Sequence, residues 1–290
     1  MHLRPSELIL NEDGSIYHLN LLPEDIADTI ITVGDPDRVS QVSNFFDTIE
    51  VKKGKREFLT HTGHLNGKRL CVISTGIGTD NIDIVLNELD ALVNIDFNTR
   101  TVTKNRIRLK IVRIGTSGAI QPEISIDSWL MSELAIGFDG LLHFYQHGQD
   151  QHSAMEDEFM NQTQWSTKKA RPYIIDFDSN LGELFTDNRI RLGFTATNTG
   201  FYGPQGRTLR IPSSINDFTN TLAHFRYGNH QITNLEMETS GIYALAKLLG
   251  HQAVSLNCIL ANRATGEFSK SPSIAIENLI EFTLNTLTSS

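Results

Sequence analysis

Short apolar segments rich in β-branched residues recur along this chain of 290 residues, and helix-like patterns separate several of them. Candidate strands occur at residues 29–33, 58–65, 70–75, 109–114, 129–136, 192–197 and 253–261. Strands that alternate with helices favour an α/β fold, with a mainly parallel or mixed central sheet flanked by helices. No linker interrupts the alternation, so the sequence predicts a single domain over residues 1–290.

Three segments carry the apolar periodicity of amphipathic helices. The first covers residues 82–93, and Thr79 or Asp80 is predicted to cap its start. The second runs from Met237 to Leu249 and should end at the following glycine, because glycine readily adopts the left-handed conformation of a C-cap. The third covers residues 274–287.

Two polar segments between these patterns are interpreted as loops or insertions, at residues 94–105 and 143–171. Loops near the carboxyl ends of strands are where α/β folds place their chemistry. The second segment is therefore expected to border a site.

The charge and hydropathy of the chain exclude some classes of partner. The formal net charge is −9, whereas binding to nucleic acid or to an anionic membrane generally needs an excess of Lys and Arg. No segment has the apolar length of a membrane span or of a signal peptide, so a cytoplasmic location is expected. Cys71 and Cys258 lie in apolar runs and are interpreted as reduced core residues.

Several motifs of known chemistry are incomplete in this sequence. The tripeptide GIG at residues 76–78 begins like a dinucleotide fingerprint, but Asn81 occupies the third glycine position. Neither a Walker A sequence nor a G-x-S-x-G elbow is present. His143, His147 and His152 lie close together without an H-E-x-x-H or paired-cysteine pattern, so neither a metal site nor a cofactor is predicted.

The segment that follows the first predicted strand can bind an anion. Gly34 comes directly after this strand, and Arg38 lies about one helical turn further on. Backbone N–H groups at such a turn can approach an anion closely, and a guanidinium can form two hydrogen bonds with phosphate oxygens. The sequence GDPD is also favourable turn chemistry, which leaves open that Arg38 is an ordinary solvated helix residue.

Arg113 interrupts an apolar run at the end of another predicted strand, just before Gly115. An unpaired buried charge is costly, so this arginine needs either a buried carboxylate or an anionic ligand. The residue pattern favours neither interpretation over the other.

Four segments together resemble the nucleoside phosphorylase family, which includes the uridine phosphorylases. They are GDPDRV at 34–39, STGIG at 74–78, RIGTSGAIQP at 113–122 and NLEMET at 234–239. The matches occur in family order and extend over most of the chain. The resemblance implies a nucleoside phosphorylase-like domain with a central mixed sheet that is partly barrel-like. It also implies pentosyltransferase activity, with inorganic phosphate as co-substrate and no cofactor.

The segment FYGPQGR at residues 201–207 resembles the F-Y-x-x-Q-x-R signature of the uridine-cleaving members. In that group the glutamine amide pairs with the uracil edge and the arginine with a carbonyl oxygen, which implies these roles for Gln205 and Arg207. An amide offers one acceptor and two donors, which matches the alternating O2, N3–H and O4 groups of uracil. Purine-cleaving relatives usually have an aspartate where this sequence has Asn262 and Arg263. The resemblance therefore implies uridine as the nucleoside.

The resemblance also implies a role for each matching position, with Arg113, Gln205 and Arg207 as the catalytic residues. Phosphate would be bound by Gly34, Arg38, Arg56, Arg113 and Thr116; ribose by His18, Thr116, Met237 and Glu238; and the base by Phe201, Gln205, Arg207, Glu236 and Arg263. Arg56 and His18 are expected to come from a neighbouring subunit. A homodimer with shared active sites is therefore the minimal unit expected, and a hexamer of such dimers is a further option.

Three alternatives stay open: a purine nucleoside phosphorylase, a hydrolytic nucleosidase, and a nucleoside-binding homologue without activity. A nucleosidase uses water, so the presence of Arg38, Arg56 and Arg113 argues against it. Glu236 and Glu238 also fit ordinary helix N-terminal chemistry. Residues 79–81 replace a Gly-Pro-Ser run that helps to bind a monovalent cation in some bacterial relatives, which argues against a potassium site.

Overall fold

The computed structural model, which describes residues 2–148, 151–215 and 217–289, is built around a mixed sheet of 11 strands. Two further short strands, β5 and β6, pair with each other outside this sheet. In chain order the strands are β1 Thr29–Val33, β2 Thr48–Lys55, β3 Phe58–Leu65, β4 Lys68–Ser74, β5 Ile95–Asp96, β6 Thr101–Val102, β7 Lys110–Ala119, β8 Trp129–Gly137, β9 Tyr173–Asp176, β10 Ile190–Thr197, β11 Ile232–Glu236, β12 Gln252–Asn262 and β13 Glu267–Phe268.

Five strands of the large sheet close into a ring. β12 pairs with both β7 and β8, while β10 and β11 complete the path between these two strands. The pairings of β7 with β12, β8 with β10 and β10 with β11 are parallel, and the other two are antiparallel. The closed ring confirms the predicted central mixed sheet that is partly barrel-like. β1, β4, β3 and β2 extend the sheet outward from β7.

Seven α-helices flank this sheet in the described part of the chain. They are α1 Pro36–Ser43, α2 Thr79–Asn94, α3 Ser153–Thr163, α4 Ser179–Glu183, α5 Phe218–His224, α6 Thr239–Leu249 and α7 Pro272–Thr288. The apolar faces of α2 and α6 share one core cluster with β1 and β4, and those of α1 and α7 share another with β7 and β12. These layers confirm the predicted α/β fold class.

All three predicted helices are present, but their starts differ from the prediction, and α7 begins two residues earlier than expected, at Pro272. The residue that precedes α2 as its N-cap is Gly78, so neither Thr79 nor Asp80 caps this helix. α6 begins at Thr239, which leaves Met237 outside the helix. Gly250 ends α6 with a φ of 82°, as the sequence predicted.

The predicted strands are present, and the structure adds elements that the sequence patterns did not indicate. β2 was missed because its residues are largely exposed and polar, β9 because it has only four residues, and β11 because Thr233, Asn234 and Glu236 interrupt its apolar character. The predicted loop at 94–105 contains the β5–β6 hairpin, and the one at 143–171 contains α3. Residues 149 and 150 of the second loop lie outside the described residues.

Cys71 and Cys258 are buried and unpaired, and burial raises the pKa of their thiols to about 11 and about 12 respectively. They are core residues, as predicted. Within the described ranges, no helix combines the length and the apolar character that crossing a membrane would require.

Candidate active site

The first part of the site forms where β1 ends. Gly34 follows β1 directly, and Asp35 caps the start of α1. Arg38 lies in the first turn of α1, and its Nη1 is 3.4 Å from the backbone oxygen of Ile114. Burial lowers the pKa of Arg38, and the nearby positive charge of Arg113 lowers it further. Two guanidinium groups that repel each other at one place favour the binding of an anion there.

Arg113 projects from β7 into the same region and is buried. Its Nη2 donates to Glu238 Oε2 at 2.5 Å and lies 3.3 Å from Glu236 Oε2, while Nη1 donates to Asn257 Oδ1 at 3.0 Å. Burial disfavours the charged form of Arg113, but the two carboxylates outweigh this effect and raise its pKa. The sequence left open whether Arg113 has a buried carboxylate partner or an anionic ligand. In the structure it has two buried carboxylate partners, and it also lines a cavity large enough for a ligand.

Glu236 ends β11, and Glu238 is the N-cap residue of α6. Glu236 Oε1 accepts a hydrogen bond from Thr197 Oγ1 at 2.6 Å, and its Oε2 accepts from the backbone N–H groups of Glu238 and Thr239 at 2.8 and 2.9 Å. Glu238 Oε1 accepts from Gly78 N at 2.9 Å. Glu236 thus binds the N-terminus of α6, whereas its predicted contact with a base stays a prediction.

Residues 201–207 form a loop whose polar groups hold one another in place. Arg207 Nη1 donates to Gln205 Oε1 at 2.5 Å and to the backbone oxygen of Phe201 at 2.7 Å, and its guanidinium lies 3.8 Å from the Phe201 ring centroid. Arg263 Nη1 donates to the backbone oxygen of Gln205 at 2.6 Å. Burial lowers the pKa of Arg263 to about 10, and the charge of Arg207 adds to the effect. The loop therefore places the Gln205 amide and the Arg207 guanidinium side by side.

The two arginines, the two carboxylates and the 201–207 loop line one cavity of about 810 Å³ at the carboxyl ends of β1, β7 and β11. The cavity contains every predicted site residue except His18 and Arg56. The predicted residues that line it are Gly34, Arg38, Arg113, Thr116, Phe201, Gln205, Arg207, Glu236, Met237, Glu238 and Arg263.

His18 and Arg56 lie outside the cavity of their own chain. His18 Nδ1 is 2.6 Å from Glu88 Oε1, on the face of α2. Arg56 is exposed in the turn between β2 and β3, with a φ of 57°, while the next residue, Glu57, lines the cavity. Neither side chain reaches the site from within the chain, and their predicted contribution from a neighbouring subunit stays a prediction.

The structure also brings residues to the site that sequence reasoning did not select. Glu57, Leu260 and Phe268 line the cavity, and Asn257 contacts Arg113 from behind it. Asn257 could have been found, because it interrupts an apolar run in the same way as Arg113. No sequence signal distinguishes Glu57 from other turn residues.

A second cavity, of about 830 Å³, lies behind the 201–207 loop. Its lining includes Phe138, Trp165, Lys169 and Tyr202, and it shares Arg207 with the first cavity. The predicted loop at 143–171 therefore borders this second cavity. The phosphate-binding positions predicted from the sequence do not line it.

The described residues of the histidine-rich segment do not form a cluster suited to a metal. His143 Nε2 is 2.8 Å from the backbone oxygen of Arg171, and His152 Nε2 is 2.6 Å from Asp176 Oδ1. Within the described ranges, no three His, Cys, Asp or Glu side chains come together in a way that could hold a metal ion. The prediction of no cofactor stays a prediction.

The partly closed sheet and the polar cavity at its strand ends define an enzyme of the nucleoside phosphorylase class. Residues 28–288 match the model of the Phosphorylase superfamily, and the chain belongs to this superfamily.

The similar proteins include uridine phosphorylases from two organisms. The protein from Thermococcus kodakarensis is 30% identical over 89% of this chain and 82% of its own length. The protein from Haemophilus influenzae is 26% identical over 90% of this chain and 92% of its own. Among solved structures, a Trypanosoma brucei nucleoside phosphorylase described as showing uridine phosphorylase activity has a TM-score of 0.87 at 27% identity, covering 98% of this chain and 100% of that one.

Proposed function

We propose that this protein is a uridine phosphorylase, a pentosyltransferase that converts uridine and inorganic phosphate to uracil and ribose 1-phosphate. One observation carries the proposal: a single cavity holds an arginine pair, a carboxylate at the N-cap of α6, and an amide–guanidinium pair. These three groups match the three parts of the reacting complex, which are phosphate, ribose and base.

The arginine pair suits phosphate. Arg38 and Arg113 line the cavity together with Thr116 and the backbone at Gly34, so charged, hydroxyl and N–H donors converge on one end. Guanidinium groups form strong, charge-assisted hydrogen bonds with phosphate oxygens. A phosphate held there is positioned to attack C1′ of the ribose, which converts a bimolecular step into an effectively unimolecular one.

Glu238 and Met237 suit the ribose between phosphate and base. The Glu238 carboxylate can accept hydrogen bonds from the 2′ and 3′ hydroxyls, and the Met237 side chain offers an apolar surface to the sugar ring. In the structure, Glu238 is held by Gly78 N and by Arg113. Ribose and phosphate would therefore bind to the two partners of one ion pair.

Gln205 and Arg207 suit the leaving base. As the C1′–N1 bond breaks, its electron pair moves onto the uracil ring, and the negative charge is shared by O2 and O4. The Gln205 amide and the Arg207 guanidinium are donors placed to stabilise that charge, and Arg263 holds the backbone of Gln205. Phosphate supplies the nucleophile, so the reaction needs no covalent intermediate with the protein.

We also propose a homodimer with shared sites as the minimal active unit. Arg38 and Arg113 line the phosphate side of the cavity from its own chain, and Arg56 of the neighbouring subunit would add a third arginine there. His18 of the neighbour would contact the 5′ end of the ribose. The further association into a hexamer and the cytoplasmic location remain expectations from the sequence.

The decisive measurement is ultraviolet detection of uracil released from uridine by the purified protein, with and without phosphate. Release that depends on phosphate is the expected result. Gln205→Leu should lower kcat/KM about a hundredfold, because one donor to the developing charge is removed. The matched control is Gln162→Leu, which changes an exposed glutamine on α3 and should leave activity unchanged.

Other outcomes would assign a different activity. Uracil release without phosphate would indicate a hydrolytic nucleosidase. Release of hypoxanthine from inosine, with no reaction of uridine, would indicate a purine nucleoside phosphorylase. Binding of uridine without any release would indicate a nucleoside-binding homologue.

A further inference from the structure

Asn257 is a fully buried amide in the middle of β12, one of the five strands of the closed ring. β12 runs parallel to β7, and Asn257 is the register partner of Gly115. Because a glycine stands opposite, the space beside Asn257 is open to the side chain of Arg113, which belongs to the same strand as Gly115. The two polar side chains meet there, and Arg113 Nη1 donates to Asn257 Oδ1 at 3.0 Å.

The other end of the Asn257 amide is held as well. Its Nδ2 lies 3.2 Å from Ser255 Oγ and 3.3 Å from Ser132 Oγ. Both serines are buried. The Asn257 amide therefore accepts through Oδ1 on one side and donates through Nδ2 on the other. This arrangement fixes which way the amide points, with its oxygen towards Arg113.

The side-chain contacts of Ser255 continue through Thr239 and Glu236 and lead back to Arg113. Ser255 Oγ is 2.9 Å from Thr239 Oγ1, and Thr239 Oγ1 donates to Glu236 Oε2 at 2.9 Å. Glu236 Oε2 in turn lies 3.3 Å from Arg113 Nη2. The two terminal nitrogens of Arg113 are therefore held from the two ends of one buried polar network.

The chemistry of the amide fits this place better than a carboxylate would. Arg113 already has two carboxylate neighbours, Glu236 and Glu238. A third negative charge would oppose the binding of an anion, whereas a neutral amide oxygen satisfies Nη1 without adding charge. An apolar residue would leave a buried guanidinium N–H without a partner, which is costly.

We propose that Asn257 is a positioning residue for Arg113, which holds Nη1 so that the guanidinium faces bound phosphate. The inference rests on the proposed function, in which Arg113 binds phosphate. Asn257 touches neither substrate, so its replacement acts through Arg113. Removing it lets the guanidinium turn away from the cavity, and phosphate affinity falls while uridine affinity is largely kept.

Two variants test this with the full-length protein. Asn257→Leu keeps the branching of the side chain but has no acceptor, and Asn257→Ser keeps a polar group that is too short to reach Arg113. The dissociation constant for inorganic phosphate is measured by calorimetry, and the KM values for phosphate and for uridine by steady-state kinetics. Both variants should weaken phosphate binding and raise the phosphate KM about tenfold, because each loses a hydrogen bond to a charged group.

The control variant is Asn94→Ala. Asn94 is also buried, and its side chain bonds to the backbone N–H and oxygen of Ile107, at the far end of α2. This variant should lower the melting temperature without changing phosphate affinity. A purely structural role for Asn257 would give the same pattern as the control, with both KM values unchanged or raised equally, and would overturn the inference.

The experiment separates this inference from the proposed function. If the wild-type protein binds phosphate but releases no uracil, the proposed function fails and calorimetry still decides the role of Asn257. If it releases uracil while both Asn257 variants bind phosphate like the wild type, only the inference fails. A wild-type protein that binds no phosphate would overturn both.

Discussion

The Arg113 guanidinium and the Glu238 carboxylate form a buried ion pair, in which Nη2 lies 2.5 Å from Oε2. Burial raises the pKa of Glu238; Arg113 acts in the opposite direction, and the neighbouring Glu236 raises the pKa further. The proposed reaction assigns phosphate to one partner of this pair and ribose hydroxyls to the other. Both substrates would therefore rearrange the same ion pair when they bind.

Glu238→Gln should reduce kcat/KM for uridine by about tenfold or more, because a carboxylate acceptor for the ribose hydroxyls is lost. The loss should be smaller for 2′-deoxyuridine, which lacks one of these hydroxyls. Steady-state kinetics with both nucleosides measures the difference. Glu277→Gln, at an exposed position on α7, is the control, and an equal loss for both nucleosides would contradict the proposed ribose contact.

Gly115→Ala should displace Arg113, because the added Cβ would lie 1.8 Å from Nη1 and 2.4 Å from Cζ of the guanidinium. The contact is with the end of a flexible side chain, so the fold should persist while phosphate affinity falls. Calorimetry with phosphate, together with a melting curve, tests this. The control is Gly148→Ala, where a Cβ would have no heavy atom within 4 Å, and equal phosphate affinity in both variants would refute the expectation.

Arg56→Ala and Gln205→Leu should each be nearly inactive alone but partly active when co-expressed. In a mixed dimer with shared sites, one site would combine an intact Gln205 with an intact Arg56 from the other subunit. Random pairing makes about half of the dimers mixed, so about a quarter of wild-type activity should return. Activity assays on the unfractionated mixture of co-expressed subunits measure this, and no recovery would argue that each site belongs to one chain.

Asp139→Asn should change how stability depends on pH. Asp139 accepts hydrogen bonds from Tyr173 and Ser240, and burial raises its pKa above the ordinary value of 3.8. Because the folded state binds this proton more tightly than the unfolded state, wild-type stability should fall as the pH rises from about 3.8 through the raised pKa.

The Asn variant lacks this titration, so it should gain stability relative to the wild type over the same pH interval. Urea unfolding at a series of pH values from acid to neutral measures the difference in unfolding free energy. A constant difference across that series would show that Asp139 does not carry the titration.

The residue patterns predicted the elements that bury one continuous apolar face. α2, α6 and α7 were found because their apolar residues repeat with the helical period, and β7 and β12 because they are buried on both sides. β2 was missed because an edge strand with an exposed face has no such signal. The start of α6 was misplaced because Met237 continues the apolar spacing although it faces the cavity.

The sequence by itself determined the chemical groups of the site, since Arg38, Arg113, Gln205 and Glu238 stand in motifs whose order resembles one family. Only the tertiary structure decided which of these groups meet. Arg113, Glu238 and Asn257 are far apart in the chain, and they come together because the five-stranded ring closes β12 against β7 and places α6 at their carboxyl ends. Pairing between distant strands depends on the whole sheet, whereas motifs and periodicity report only on neighbours in sequence.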